Sequence, residues 1–120
     1  MRKLLLILSL STLLLAALAC RITGSVLVFS PSQLPDAQAG QPYEVTIIIS
    51  GNRTPLNDIY VSDGQLPPGL TLYYEHPNDY ATLRGTPQEA GQFKFTIAGD
   101  CLGTNVAGQT GDHAYSLVVK

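Results

Sequence analysis

The feature that most constrains this chain is the pair Pro67-Pro68, inside the stretch Gly64–Leu70 (Gly-Gln-Leu-Pro-Pro-Gly-Leu). Each proline fixes its own φ angle and lacks a backbone N–H donor, so the pair cannot lie inside a central β-strand. Gly69 relieves the constraint, and an alternating apolar pattern begins at Leu70. The stretch therefore predicts an extended crossing between two strands, and Arg84-Gly85-Thr86-Pro87 marks the end of the strand that follows.

The rest of the chain favours short strands joined by turns. Its 120 residues fit one domain and include 11 glycines and 8 prolines, while few helix-forming residues follow the first twenty. This composition is typical of an all-β domain. Without Arg2 and Lys3, five basic residues face nine acidic ones, a formal charge of −4. That balance argues against binding to nucleic acid and against electrostatic binding to anionic lipid.

Residues 1–19 have the pattern of an export signal. Met1-Arg2-Lys3 is cationic, and Leu4–Leu18 is an apolar run that is too short for a comfortable membrane span. The sequence Leu-Ala-Ala-Leu-Ala before Cys20 resembles the processing site of a bacterial lipoprotein, although Ala17 stands where leucine is more usual. An ordinary cleaved signal followed by an incidental cysteine is the alternative.

Cys20 is therefore the predicted lipid attachment site. A cysteine thiolate readily takes a diacylglyceryl group as a thioether, and two acyl chains supply the affinity that stable anchoring needs. An aspartate directly after the lipidated cysteine would favour retention at the inner membrane, but this chain has Arg21 at that position. In an organism with two membranes, the resemblance to lipoproteins therefore favours the outer membrane. The predicted divisions are residues 1–19 as the lipoprotein signal peptide, 20–30 as the lipidated cysteine, short tether and candidate first strand, and 31–120 as the folded domain.

About seven short strands are predicted after the tether. The clearest is Tyr43–Ser50, where β-branched and aromatic residues alternate with polar ones over eight positions, except that Ile48 interrupts the polar face. The others are Val26–Phe29, Ile59–Ser62, Thr71–Glu75, Tyr80–Arg84, Gln92–Ala98 and Tyr115–Val119, and the two long loops are Gly51–Asp58 and Gly99–Asp112. This spacing predicts one β-sandwich. Its expected core consists of Val45, Ile47, Leu72, Leu83, Phe93, Phe95, Ile97 and Leu117.

Four motifs in order carry a family resemblance. They are Leu34-Pro-Asp-Ala followed by Gly40-Gln-Pro-Tyr43, then Gly64–Leu70, Arg84–Pro87 and Ala90–Ile97. Over roughly residues 32–120 the chain resembles the immunoglobulin-like, cadherin-like domain of bacterial surface proteins. The resemblance implies an Ig-like β-sandwich, usually repeated in extracellular proteins. These 120 residues carry one copy, and the loop near Cys101 departs from the pattern, so no binding residue is transferred to it.

Cys101 is the second cysteine, and three states are open to it. Lipidation of Cys20 would leave it without an intrachain partner, and burial as a small apolar residue is the simplest expectation. A reactive or intermolecular thiol in an oxidising compartment is the second. A disulfide with an unlipidated Cys20 is the third.

Neither a metal nor a cofactor nor a catalytic residue is expected. Calcium prefers several convergent oxygen ligands, which the aspartates do not form in sequence, so they are interpreted as turn and cap residues. His76 and His113 lie far apart and are predicted to be exposed loop residues. No nucleophile elbow, His-Glu-x-x-His or paired-cysteine motif is present. The aspartates in question are Asp58, Asp63, Asp79, Asp100 and Asp112.

Two groups of residues are candidates for recognition. Tyr73 and Tyr74 are neighbours on a predicted strand, so at least one should face solvent, where tyrosine provides contact area at low entropic cost. The alternative is that these rings, with Tyr60 and Tyr80, cap the ends of the sandwich. The two long loops should lie at the same end of an Ig-like sandwich. They predict a composite surface that points away from the lipid and comprises Arg53, Asn57, Leu102, Asn105 and Gln109.

The sequence thus predicts an exported protein that is lipid-anchored to the cell envelope. Its Ig-like domain is expected to bind a protein or glycan ligand, or to serve the envelope structurally, without being an enzyme. The alternative is an Ig-like inhibitor or accessory subunit that docks an exported enzyme or transport complex through its loops. Nucleic acid is not an expected partner.

Overall fold

A computed structural model describes residues 26–120. Within this range the chain forms β1 (Val28–Ser30), β2 (Tyr43–Ser50), β3 (Leu56–Gly64), β4 (Leu70–Tyr74), β5 (Tyr80–Gly85), β6 (Gly91–Cys101) and β7 (Thr110–Val119). The predicted signal peptide, Cys20 and most of the tether lie outside the described residues. Residues 26–120 contain no helix that is long and apolar enough to cross a membrane.

The strands form two antiparallel sheets that pack face to face. One sheet has the order β1-β2-β5-β4 and the other the order β3-β6-β7. A short parallel contact adds to the second sheet, because Ala37 N donates to Val118 O and Lys120 N donates to Ala37 O, both at 2.8 Å. Four strands facing three in this order are the arrangement of an Ig domain of the constant type. The prediction of a single all-β, Ig-like sandwich of about seven strands is confirmed.

The core lies between the sheets and is built from every second residue of each strand. Phe95 faces Tyr115 across the β6–β7 pair, with ring centroids 6.1 Å apart. Among the predicted core residues, Ile47, Leu83, Phe95, Ile97 and Leu117 are buried, and Val45, Leu72 and Phe93 are partly buried against them. Further buried side chains complete the core: Leu27, Phe29, Leu34, Ile49, Leu56, Ile59, Leu70, Tyr115 and Val119.

The two proline motifs meet where the chain changes sheets. Residues 65–69 lead from β3 to β4, and Pro67 is fully buried. Thr86 N donates to Gly69 O at 3.2 Å, and Gln88 N donates to Pro68 O at 2.9 Å. Gly69 has a φ of +95°, and a Cβ at this position would collide with the carbonyl oxygen of Thr86. The predicted crossing is confirmed, and glycine is required there because two backbones approach each other closely.

Three strands extend further than the sequence predicted, so both long loops are shorter. The β2–β3 loop spans residues 51–55, and the β6–β7 loop spans residues 102–109. β3 continues through its polar residues because register shifts at two points, between Leu56 and Asp58 and between Val61 and Asp63, accommodate them.

The ends of β6 and β7 were predicted to be loop because they contain glycines. Gly99 and Gly111 are paired across these two strands instead of lying in a loop. A Cβ on Gly99 would be 3.1 Å from Ile49 Cδ1, and a Cβ on Gly111 would be 3.0 Å from Leu27 Cβ. Glycine therefore occupies these two positions because core side chains pack directly against the backbone there.

Candidate functional site

The β2–β3 and β6–β7 loops meet at one end of the sandwich, as predicted. Arg53 N donates to Gln109 Oε1 at 2.7 Å, and Gln109 Nε2 donates to Gly51 O at 3.3 Å. Leu102 N donates to Pro55 O at 2.9 Å, while the Leu102 carbonyl accepts a 2.6 Å bond from Thr54 Oγ1. These bonds connect the two loops into one unit.

We call the five predicted residues Arg53, Asn57, Leu102, Asn105 and Gln109 the composite loop surface. Arg53, Leu102 and Gln109 line a common cavity of about 230 Å³ between the loops. Asn57 lies on β3 and donates to Asp100 Oδ2 at 2.9 Å, and Asn105 is exposed in the β6–β7 loop. The loops therefore come together as expected, while the binding role of these side chains stays a prediction.

The described chain enters the domain at this same end. Val28 pairs with Ser50, and a Cβ on Gly51 would collide with the carbonyl oxygen of Val26. An antiparallel neighbour must begin where its partner ends, so β1 starts beside the β2–β3 loop. The expectation that the composite loop surface points away from the lipid depends on Cys20, which lies outside the described residues, so it stays a prediction.

A second candidate surface lies on the outer face of the four-stranded sheet. Tyr73 is 47% exposed and Tyr80 is 45% exposed, because alternate residues of β4 and β5 face solvent. The Arg84 guanidinium lies over the Tyr73 ring, 4.1 Å from its centroid. Together with neighbours these three side chains line an open groove of about 470 Å³, which we call the tyrosine groove. Its lining is Tyr73, Tyr74, Glu75, Asn78, Tyr80, Thr82 and Arg84.

Tyr73 and Tyr74 point in opposite directions, as their adjacency predicted. Tyr74 is partly buried and donates to the Leu56 carbonyl oxygen at 3.0 Å, which connects the two sheets. His76 Nδ1 lies 2.9 Å from the same oxygen. Burial, assisted by the charge of Asp58, raises the pKa of Tyr74. Tyr74 therefore caps the sandwich, whereas Tyr73 is available for recognition.

Cys101 is buried, which confirms the simplest of its expected states. Burial, with smaller contributions from Asp100 and Asp79, raises the pKa of the Cys101 thiol. A thiol held in its protonated form is a poor nucleophile. Pairing with Cys20 concerns a residue outside those described.

His113 is not the exposed loop residue that was predicted. It lies on β7, where its ring stacks on Phe29 with centroids 6.0 Å apart and meets the edge of Tyr115 at 4.6 Å. His113 Nε2 is 2.9 Å from the Ser32 carbonyl oxygen. The prediction failed because β7 begins earlier than expected, which gives His113 the same parity as the buried Tyr115. His76, by contrast, is exposed.

The aspartates are more often strand residues than turn residues. Asp58 and Asp63 lie on β3, Asp100 on β6 and Asp112 on β7, so the turn-and-cap interpretation is wrong for these four. Asp79 does lie between β4 and β5, and its Oδ1 is 3.5 Å from Asn52 Nδ2. In residues 26–120 no three histidine, cysteine or acidic side chains converge in a way that could hold a metal ion.

Comparison with known proteins identifies the domain type. A family model described as "Putative Ig domain" matches residues 25–120. No curated protein matches the chain. Among solved structures, the endo-fucoidan hydrolase MfFcnA9 from glycoside hydrolase family 107 matches with a TM-score of 0.61 and 21% identity over 82% of this chain and 17% of that one. A variant of the related hydrolase MfFcnA4 has a TM-score of 0.53 and 21% identity over 83% of this chain and 14% of that one.

The titin M3 domain matches with a TM-score of 0.49 and 20% identity, over 81% of this chain and 99% of that domain. The chain spans less than a fifth of the two hydrolases, of which it covers 17% and 14%. At these identities the likeness to the hydrolases concerns the fold alone.

Proposed function

Because the chain belongs to the Ig-domain family whose model matches residues 25–120, we propose that it is an exported lipoprotein whose domain binds a protein or glycan ligand without catalysis. Cys20 would carry the lipid that holds it to the cell envelope, at the outer membrane in an organism with two. The observation that supports binding is the tyrosine groove.

The tyrosine groove combines the groups that an amphipathic ligand requires. The core beneath is already filled by inward residues such as Leu83 and Ala81, so the outward rings of Tyr73 and Tyr80 are not needed to fill it. Their flat apolar faces suit the C–H face of a sugar ring or an apolar side chain. Arg84, Thr82 and Asn78 supply hydrogen-bonding groups within the same groove. Because flat rings beside hydrogen-bonding groups suit sugars, a glycan is the first ligand class to test.

Ligand binding is tested by removing the two rings together. The full protein carrying Tyr73→Ala and Tyr80→Ala should bind immobilised envelope glycans or captured partner at least about thirtyfold more weakly, because truncated aromatic anchors cost about 2 kcal/mol or more at binding sites. The matched control is Tyr60→Ala, since Tyr60 is 44% exposed but lies on the opposite sheet. Equal losses in both proteins would contradict the assignment of this face.

Anchoring is tested at the cysteines. Cys20→Ala should abolish incorporation of labelled fatty acid and leave a soluble or uncleaved product, because no thiol then remains at the processing site. Cys101→Ala is the control, and it should retain the label because Cys101 is buried in the domain. Continued labelling of the Cys20→Ala protein would remove the lipoprotein proposal.

A second candidate function is that of an inhibitor or accessory subunit which docks an exported enzyme or transport complex. The cavity of about 230 Å³ in the composite loop surface favours it. Affinity capture from detergent-solubilised envelope should then return one stoichiometric partner. Arg53→Ala with Asn105→Ala should weaken that capture without lowering the melting temperature, since the backbone N–H that Arg53 donates to Gln109 is retained in alanine. Capture that survives these changes but fails in the Tyr73→Ala protein would place binding on the sheet.

A further inference from the structure

The place where the chain enters the domain limits how the domain can stand on a membrane. Val26 follows Cys20 by six residues, and a fully extended chain of this length spans about 20 Å. Val26 lies against Gly51 of the β2–β3 loop. A lipid on Cys20 would therefore keep the loop end of the sandwich within about 20 Å of the bilayer surface.

This same end carries the most exposed apolar side chains. Among the large hydrophobic residues described, Val106 at 74% and Val26 at 73% have the greatest exposure, and Leu102 is 40% exposed. Val106 and Leu102 line the cavity beside the Arg53 side chain. The turn at the opposite end is polar and exposed at Gln88 and Glu89. The two ends of the sandwich thus differ in character.

The charges at the loop end indicate which lipid surface fits. Among residues 26–120, Arg53 is the cation of the two loops, while Asp79 lies 3.5 Å from Asn52 and Asp100 accepts a hydrogen bond from Asn57 at the same end. A strongly anionic headgroup layer would meet these carboxylates and be repelled. A zwitterionic surface avoids that repulsion, and its phosphates still offer a partner to one arginine.

We propose that the loop end rests on a zwitterionic bilayer surface, with Val106 and Leu102 in the interfacial layer and Arg53 at the level of the lipid phosphates. Small apolar contacts of this kind gain importance when a covalent anchor already holds them near the membrane. The tyrosine groove, on the side of the sandwich, then opens along the membrane surface. This orientation rests on the proposed function, because it requires the lipid on Cys20.

A single tryptophan can report the orientation, since the natural chain contains none. The lipidated full-length protein with Val106→Trp is reconstituted in phosphatidylcholine vesicles, and its emission is measured with lipids brominated on their acyl chains. We expect blue-shifted emission and strong quenching. The matched control is Gln88→Trp at the opposite end, which should emit as in water and resist quenching.

Each other outcome overturns the proposal in a distinct way. Vesicle-bound, lipidated protein in which both tryptophans are equally unquenched would show that the loop end does not touch lipid. If the emission of the Val106→Trp protein is blue-shifted in native envelope but not in phosphatidylcholine vesicles, this end of the domain binds a protein partner instead of lipid. Protein that neither carries fatty acid nor sediments with vesicles would overturn the proposed function itself, and the orientation with it.

Discussion

Strand parity decides what each tyrosine of this domain does. Tyr43, Tyr74 and Tyr115 face inward or lie at the rim, and their hydroxyls donate to the carbonyls of Pro35, Leu56 and Pro31 at 2.8, 3.0 and 2.8 Å. These bonds attach irregular segments to the sheets. Tyr60, Tyr73 and Tyr80 face solvent instead. One residue type thus provides both structural hydrogen bonds and an exposed recognition face.

Alkaline pH should destabilise the domain through its inward tyrosines. Burial raises the pKa of Tyr115 from its ordinary value of 10.0 to about 12, and burial followed by the charge of Asp36 raises the pKa of Tyr43 to about 12. The unfolded chain then loses its phenolic protons first as pH rises, so the contribution of these groups is complete below about pH 10 and is lost between about pH 10 and 12. Urea unfolding across this range should show the decline.

The hydroxyl of Tyr115 gives a direct check on that decline. Tyr115→Phe should cost about 0.5–1.5 kcal/mol at neutral pH, because the bond to Pro31 O is lost. The same protein should lose stability less steeply above pH 10 than the natural one. Tyr60→Phe, which removes an exposed hydroxyl, should leave the stability at neutral pH unchanged. An unchanged slope in the Tyr115→Phe protein would contradict the explanation.

The backbone contact between the proline motifs can be tested with two glycines. Gly69 and Gly40 both have positive φ angles, +95° and +78°, but an added Cβ meets the Thr86 backbone only at Gly69 and finds open space at Gly40. Gly40→Ala should therefore cost about 1–2 kcal/mol from the unfavourable φ alone. Gly69→Ala should cost about 3 kcal/mol or more, because the backbones must also separate. Equal losses in denaturant unfolding would show that the close approach is not important.

At the scale of strands, the predictions succeeded where one face of the strand is buried and the other faces solvent. β2 was predicted with its true bounds because its alternation over Tyr43–Ser50 is broken only at Ile48, an outward residue that is 52% exposed. β3 was predicted too short, since Asn57 and Asp58 have the composition of a loop and the bulges that keep them in the sheet depend on β6. Gly99 and Gly111 were assigned to a loop because the side chains that pack on them come from other strands.

The candidate surfaces were partly predictable for the same reason. Adjacency alone separates Tyr73 from Tyr74, and loop order alone brings Arg53 near Leu102. The tyrosine groove was not predictable, because it depends on the register that places Tyr73 opposite Thr82 and Thr71 opposite Arg84. The N-terminal entry beside Gly51 required knowing that β1 and β2 pair.

The alternation of β6 supports a test of its inward face. Phe95 is 2% exposed and packs on Tyr115, whereas its neighbour Lys94 faces solvent. Phe95→Ala should cost about 3–5 kcal/mol, a large part of the roughly 5–13 kcal/mol that a domain of this size possesses. Lys94→Ala should change the free energy of unfolding by about 0.5 kcal/mol or less. Similar losses from both substitutions would mean that the register of β6 is wrong.

As a whole molecule, this domain is stabilised by its apolar core and its hydrogen-bonded backbone more than by charge. The described residues contain one ion pair, between Lys120 Nζ and Asp36 Oδ2 at 3.1 Å, and both side chains are more than half exposed, at 66% and 51%. Such surface pairs contribute about 0–1 kcal/mol. Three other aspartates have local contacts: Asp100 accepts from Asn57, Asp58 accepts from the N–H of Ile59, and Asp79 Oδ1 lies 3.5 Å from Asn52 Nδ2.

These local contacts lead to the prediction that calcium does not stabilise the domain. A calcium ion needs about six to eight oxygen ligands, so several aspartates would have to leave their partners and converge. An ion that binds the folded state alone adds about 2.7 kcal/mol when its concentration is about one hundred times its Kd. Melting curves recorded in millimolar calcium and in chelator should therefore coincide, and magnesium serves as the control for ionic strength. A rise in melting temperature with calcium but not with magnesium would show that carboxylates on different strands do form a common site.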